Sequence, residues 1–105
     1  MLKTIVVRGS FEWDEEKESQ NVLKHGVDFS EARFVFKDPH RIFIFDELHS
    51  QFEARYFCIG KVDGVVLTVR FKVHHKRIRI FGAARWRKWT RYYDNEIKKI
   101  SSKLK

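Results

Sequence analysis

The dipeptide Asp38-Pro39 divides the chain into two segments with different spacing of apolar residues. Before it, Phe29, Ala32 and Val35 recur three residues apart, which is the spacing of a helix face. Proline lacks a backbone N–H and disfavours the helical conformation of the residue before it, so no helix can continue through this point. After it, short runs of β-branched and aromatic residues predict strands. Helices followed by strands are typical of an α+β fold.

Capping residues mark the ends of two short N-terminal helices. Asp14 can accept hydrogen bonds at a helix start, and Gly26 follows two basic residues that favour a helix end. Asp28, with Glu31 three residues later, marks a second start, and that helix must end before Pro39. The β-branched stretch at residues 4–7 predicts a first edge strand.

Four further strands are predicted at residues 41–45, 54–60, 65–73 and 77–81. Asp63-Gly64 has the composition of a two-residue hairpin turn, and residues 74–76 predict a second tight turn. These connections predict an antiparallel β-sheet meander. Alternation along residues 65–73 places Arg70 and Lys72 on a cationic face, opposite a face that packs.

The charge of the chain is distributed unevenly. Residues 1–69 contain 9 Lys and Arg against 12 Asp and Glu, whereas residues 70–105 contain 13 against 2. This asymmetry indicates a surface that meets polyanions, with nucleic acid as the leading partner. An acidic membrane surface, an acidic protein tail or a solvated basic helix without a partner are the alternatives.

The C-terminal region combines a helix with an RNA-binding composition. Basic and aromatic residues interleave from residue 85 to residue 93, which offers both phosphate contacts and stacking surfaces. We predict that RNA is bound by Arg70, Arg85, Trp86, Arg87 and Lys88. A C-terminal helix is predicted from the helical spacing of Trp89, Tyr93, Ile97, Ile100 and Leu104.

Length and composition exclude several classes of protein. The 105 residues predict a single domain, residues 1–105, with no interior to spare for a large cofactor. One cysteine, Cys58, builds neither a disulfide framework nor a thiolate zinc site, and we expect it in the core. His74-His75 offers two ligands, which alone do not make a metal site. We therefore expect no metal, no cofactor, no membrane span and a cytoplasmic location.

The charged residues suffice for RNA cleavage without a metal. In that reaction a base takes the proton of a ribose 2′-hydroxyl, guanidinium groups stabilise the phosphorane, and an acid protonates the leaving 5′-oxygen. The candidate catalytic residues are Lys24, His25, Glu53, Arg55 and Arg79. His25, Glu53 or a lysine next to other cations can serve as the base. Two alternatives stay open: Glu53 and Arg55 form an ion pair, and Lys24-His25 compensates a helix dipole.

Three ordered blocks of residues resemble the BrnT toxin family. The first block contains Phe11-Glu12-Trp13-Asp14, Lys17, Asn21, Lys24-His25-Gly26-Val27, Phe29, Glu31-Ala32, Val35-Phe36 and Asp38-Pro39. The second contains Asp46, His49-Ser50, Glu53, Arg55 and Ile59-Gly60. The third is Arg77-Ile78-Arg79-Ile80-Phe81-Gly82-Ala83 with Trp86-Arg87-Lys88. The resemblance implies a bacterial type II toxin with a RelE-like fold, which resembles microbial RNases. It also implies a ribonuclease that arrests translation and a BrnA antitoxin that neutralises it in a hetero-oligomer.

One departure from the family pattern keeps a second hypothesis open. Many relatives have Ser-Ala-Arg after the last strand, whereas this chain has Gly82-Ala83-Ala84 before Arg85. The same basic face can therefore be an interaction module, without catalysis, for nucleic acid or for an antitoxin.

Overall fold

The fold is α+β, with one mixed sheet and helices against both of its faces. The computed structural model describes residues 2–103, and within them the sheet has six strands. The strands are β1 (Ile5–Arg8), β2 (Phe11–Asp14), β3 (Ile42–Phe45), β4 (Tyr56–Val62), β5 (Val65–His74) and β6 (Arg77–Ala84). The α-helices are α1 (Glu15–His25), α2 (Phe29–Ala32) and α3 (Arg87–Lys103), and 3₁₀ helices cover Arg33–Lys37 and Glu47–His49. Leu104, which we predicted on the apolar side of α3, lies outside the described residues.

The sheet order is β1-β2-β6-β5-β4-β3. From β3 to β6 the strands form the antiparallel meander that the sequence predicts. The complete sheet is mixed, however, because β2 runs parallel to β6 and β1 pairs antiparallel with β2. The sequence does not predict β2, since its charged residues hide the strand pattern. Glu12 is nevertheless buried there, in an ion pair with Arg79 of β6.

Helix α1 is bounded by the two residues that predict its ends. The Asp14 carboxylate accepts hydrogen bonds from the backbone N–H groups of Glu16 and Lys17, and Gly26 ends the helix at a φ of 69°. The second predicted helix is only partly α-helical: α2 covers four residues and continues as the 3₁₀ helix Arg33–Lys37. The segment ends before Pro39, as the backbone of an X-Pro step requires.

Asp38 connects the 3₁₀ segment to β4 and α3. Its side chain accepts hydrogen bonds from the Tyr93 hydroxyl at 2.5 Å, from the Lys61 N–H at 2.7 Å and from the His40 N–H at 2.8 Å. Burial raises the pKa of Asp38, but these bonds outweigh it and the net pKa lies below its ordinary value. Burial and the bond to Asp38 raise the pKa of Tyr93.

Two apolar clusters pack on opposite faces of the sheet. One includes Trp13, Phe29, Val35, Val69 and Ile80 beneath the helical segments that follow β2. The other consists of Ile59, Val66 and Tyr93, with Trp89 and Ile97 of α3 packed against it. The sequence predicts one packed face and one cationic face. In the structure α3 covers part of the second face, Thr68 is fully buried there, and the cationic surface is confined to the rest.

Turns and a bulge set the register of the last two strands. Asp63-Gly64 and His75-Lys76 are both two-residue turns with positive φ at each position. Arg70 of β5 pairs with Gly82, whereas Phe71 pairs with Ile80, so Phe81 is an extra residue in β6. No helix among residues 2–103 has the length and apolar composition needed to cross a lipid bilayer.

Candidate nucleic-acid interface

The part of the second sheet face that α3 leaves open forms a basic groove. Strand register brings Phe57 next to Arg70, Arg70 next to Gly82, and Lys72 next to Arg79. The groove consists of three adjoining pockets, which we name the Arg55 pocket, the His25 pocket and the Trp89 slot. Each shares lining residues with its neighbour, so one extended ligand can contact all three.

Helix α1 forms one wall of the groove, and Asn21 attaches it to β6. The pairing of β2 with β6 ends at Ile80. Further along the same strand, the Asn21 side-chain amide donates to Ala83 O at 2.8 Å and to Val27 O at 2.9 Å, and its carbonyl oxygen accepts from Ala83 N at 3.1 Å. This buried amide fixes α1 and its basic side chains relative to the sheet.

The Arg55 pocket has a volume of about 230 Å³ and a predominantly basic lining. Its charged residues are Lys3, Lys17, Arg55, Lys72 and Arg79 against Asp14 and Glu53. Glu53 accepts hydrogen bonds from Lys72 Nζ at 2.8 Å and from Arg55 Nε at 3.2 Å. The bond from Lys72 is the main cause of a pKa for Glu53 below its usual range, so this side chain is a carboxylate with weak affinity for a proton.

The ring of Phe81 lies among three cations at the boundary of two pockets. The Arg55 guanidinium carbon lies 4.3 Å from the ring centroid, Lys17 Nζ 5.3 Å and Lys72 Nζ 5.8 Å. The negative face of an aromatic ring attracts cations at such distances. Because Phe81 and Lys17 also line the His25 pocket, they join the two pockets into one basic surface.

Arg79 differs from the other cations because a buried carboxylate holds it. Its guanidinium pairs with Glu12, which His74 Nδ1 also contacts at 3.2 Å. Burial raises the pKa of Glu12, but the hydrogen bonds and charges of Arg79 and His74 outweigh it, so the net pKa is lowered. Arg79 therefore lines the Arg55 pocket in a fixed position.

The His25 pocket has a volume of about 250 Å³ and lies between the end of α1 and β6. Lys24 and His25 from the last turn of α1 line it together with Arg70 and Trp86. The His25 ring meets the Trp86 ring edge to face, with centroids 5.6 Å apart. The pocket therefore places an imidazole, a group that can act as an acid or a base, among the basic side chains of Lys17, Lys24 and Arg70.

The Trp89 slot, about 260 Å³, is the apolar part of the groove. Its lining consists of Phe57, Trp86 and Trp89 together with His49, Arg70 and Lys88. Arg70 and Trp86 also line the His25 pocket, so they form the boundary between the two.

A protein-family model described as "Ribonuclease toxin, BrnT, of type II toxin-antitoxin system" matches residues 13–91. The chain belongs to the BrnT family. The resemblance stated from the sequence is confirmed, and membership implies ribonuclease activity on RNA and an antitoxin protein as partner. No curated protein sequence matches the chain.

The structure distributes eight of the ten predicted site residues of this BrnT protein over the three pockets. Lys24, His25, Arg70 and Trp86 meet in the His25 pocket, Glu53, Arg55 and Arg79 meet in the Arg55 pocket, and Lys88 lies in the Trp89 slot. Arg85, two residues before α3, and Arg87, the first residue of α3, are exposed and lie outside the linings of these pockets.

Several groove residues are missing from the sequence-based site list. Lys17 precedes Lys24 by two helical turns, a spacing that places both on one helix face and that offers a usable signal. Phe81 follows Arg79 by two positions, so strand alternation places both on one face of the sheet and offers a second usable signal. His49 and Phe57 reach the groove through tertiary packing.

Cys58 and His74-His75 lie outside the groove linings. Cys58 is fully buried, as predicted, and burial raises the pKa of its thiol to about 12, which makes it a poor nucleophile. Among the described residues, no group of three or more His, Cys, Asp or Glu side chains is arranged to hold a metal ion.

Proposed function

We propose that this BrnT-family protein is a metal-independent endoribonuclease that cleaves RNA in the basic groove by attack of a ribose 2′-hydroxyl. The observation that carries the proposal is the composition of the His25 pocket. An imidazole and the Lys24 ammonium share that pocket with Arg70, and Lys17 connects it to the cations of the Arg55 pocket. Proton-transfer groups and charge-stabilising groups therefore line one continuous surface.

His25 is the proposed general base. It takes the proton of the 2′-hydroxyl while O2′ forms a bond to phosphorus, and the bond from phosphorus to O5′ breaks. The leaving O5′ receives a proton from the Lys24 ammonium. Arg55 and Arg79 face the negative charge that develops on the phosphorane oxygens, where fixed donors contribute most to the rate. The products are a 2′,3′-cyclic phosphate and a 5′-hydroxyl.

Glu53 is proposed to position Arg55 and Lys72. Both cations hold its carboxylate, and its lowered pKa disfavours the protonated state that a general base must pass through. The ion-pair interpretation of Glu53 and Arg55 thus agrees with the contacts. Arg70 and Trp86, at the boundary of the His25 pocket and the Trp89 slot, and Arg85, Arg87 and Lys88 beyond it are proposed to bind the RNA that flanks the cleaved bond.

The cellular role proposed is arrest of translation by RNA cleavage in the cytoplasm. We further propose that residues 1–105 form one domain with a RelE-like fold, and that a BrnA-like antitoxin neutralises the toxin in a hetero-oligomer. The net charge of +8 and the predominantly basic groove favour an acidic antitoxin segment that covers the groove.

Cleavage of a defined RNA by purified variants tests the mechanism. His25→Ala should lower the rate by roughly 10²- to 10⁴-fold and alter the pH profile, and Arg55→Ala should lower it by roughly 10²- to 10³-fold. Lys24→Ala should also lower it, and Glu53→Gln should lower it by less than Arg55→Ala, because the glutamine amide oxygen can still accept a hydrogen bond from Arg55 or Lys72. Lys103→Ala, at an exposed position late in α3, is the matched control and should retain the wild-type rate.

Two outcomes would contradict the proposal. Unchanged cleavage by both His25→Ala and Arg55→Ala, at equal folded concentration, would place the reaction elsewhere. Loss of activity in EDTA that magnesium restores would refute the metal-free mechanism. If the protein binds RNA without cutting it under any of these conditions, the groove is a non-catalytic interaction surface.

A further inference from the structure

The Trp89 slot has a composition different from the rest of the groove. Three aromatic side chains line it: Phe57 from β4, Trp86 just before α3, and Trp89 in the first turn of α3. The centroids of the Phe57 and Trp89 rings are 5.4 Å apart, so the two rings form a continuous apolar wall. His49, Arg70 and Lys88 contribute the polar groups of its lining. The other two pockets, by contrast, are lined mainly by charged and polar side chains.

This aromatic surface is incompletely buried by the fold. Phe57, Trp86 and Trp89 are all partly exposed, although Trp89 also packs on the cluster of Ile59, Val66 and Tyr93. Helix α3 begins at Arg87, so it covers the sheet beyond this point and leaves the slot open. Open aromatic surface beside cations is the combination that binds single-stranded nucleic acid, because bases stack on the rings while cations contact the phosphates.

A buried acid fixes the orientation of His49 at the slot. His49 Nδ1 lies 2.8 Å from Asp46 Oδ2, and the His49 backbone N–H donates to Asp46 Oδ1 at 3.3 Å. Asp46 itself is buried, whereas the His49 side chain is about half exposed. Since Nδ1 is occupied, Nε2 is the ring atom left for a ligand, and a fixed polar atom beside stacking rings can read the edge of a base.

We infer that the Trp89 slot binds one nucleobase of the RNA strand, next to the nucleotide whose phosphate lies in the His25 pocket. Arg70 and Trp86 line both pockets, so the base and the neighbouring phosphate are contacted by the same two residues. The placement along a cleaved strand rests on the proposed function. Base binding itself does not require cleavage. Stacking supplies affinity for any base, and His49 selects among bases.

Calorimetric titration with the four nucleoside 5′-monophosphates tests base binding, with ribose 5-phosphate as the matched ligand that lacks a base. Nucleotides should bind more tightly than ribose 5-phosphate. Phe57→Leu and Trp89→Leu should weaken nucleotide binding by roughly 5- to 150-fold and leave ribose 5-phosphate binding unchanged. Trp89→Phe retains a ring and should have a smaller effect. Because Trp89 also contacts the core, Phe57→Leu and His49→Gln provide independent variants, and His49→Gln should change the ranking of the four nucleotides.

The outcomes separate this inference from the proposed cleavage reaction. Equal affinity for nucleotides and ribose 5-phosphate, or unchanged nucleotide affinity in both leucine variants, would overturn the base site. Nucleotide binding in the slot by a protein that cuts no RNA would support the base site while refuting the nuclease. If Phe57→Leu weakens binding of the antitoxin protein but of no nucleotide, the slot belongs to the protein partner and the inference is wrong.

Discussion

Replacing Asn21 with alanine should destabilise the protein and displace one wall of the groove. The wild-type amide makes three buried hydrogen bonds, to Val27 O and to both backbone groups of Ala83. A neutral hydrogen bond contributes about 1 kcal/mol to stability, so their loss amounts to about 3 kcal/mol. A change of that size lowers the melting temperature of a domain this small by roughly 12 to 24 °C.

Urea unfolding at constant pH measures this effect. Leu23→Ala, two residues away on the same helix, is the control: its side chain is 89% exposed, so the free energy of unfolding should change by less than about 0.5 kcal/mol. Asn21→Ala should also slow RNA cleavage at temperatures where the variant is fully folded, because α1 carries Lys24 and His25. If the free energy of unfolding falls by less than about 1 kcal/mol, and its slope against urea concentration is unchanged, Asn21 is not the residue that attaches α1 to the sheet.

Three further predictions concern stability. The pKa of Asp38 is lower in the folded state than its ordinary value of 3.8. Its contribution to the free energy of unfolding is therefore fully present above pH 3.8 and is lost as the pH falls through the pKa of the folded state. Asp38→Asn should therefore flatten the acid branch of a plot of urea midpoint against pH; an unchanged acid branch would contradict this. Gly60→Ala should lower the free energy of unfolding in urea by roughly 1 to 3 kcal/mol, because the added Cβ would lie 2.7 Å from the carbonyl oxygen of Val35. An unchanged free energy of unfolding would show that the 3₁₀ segment moves freely. Lys76→Gly should raise the free energy of unfolding by about 1 kcal/mol, because Lys76 has a φ of 66°, which glycine adopts without strain. A lower free energy of unfolding would mean that contacts of the lysine side chain hold the turn.

The parts of the fold that local chemistry determines could be predicted from the sequence. Asp14 and Gly26 are the observed caps of α1, and Asp63-Gly64 is the observed turn between β4 and β5. Each of these features depends on residues close together in the chain. The pairing of β2 with β6 is different. Glu12 is buried because Arg79, 67 positions later, neutralises it, and no local pattern reveals that partner.

In the candidate site, too, the features that depend on residue type could be predicted, and those that depend on contacts between distant residues could not. Residue types identified Lys24, His25, Glu53 and Arg55 as candidates, and the structure places them in adjoining pockets. Their distribution over two pockets depends on tertiary contacts. The bulge at Phe81 arises in the pairing of β6 with β5, and the partial cover of the second sheet face depends on where α3 docks. Neither is encoded in a short window of sequence.

The parallel pairing of β2 with β6 has a consequence for when activity can arise during synthesis. Strand β2 is synthesised well before β6, which is the last strand among residues 2–103. Contacts between such distant segments slow folding, since the loop between them must be closed before they contribute. The groove has the same dependence, because His25 comes from the first quarter of the chain and Trp86 from the last. A ribosome still translating β5 therefore carries a nascent chain without a complete groove, and the groove can form only after β6 and the start of α3 have been synthesised.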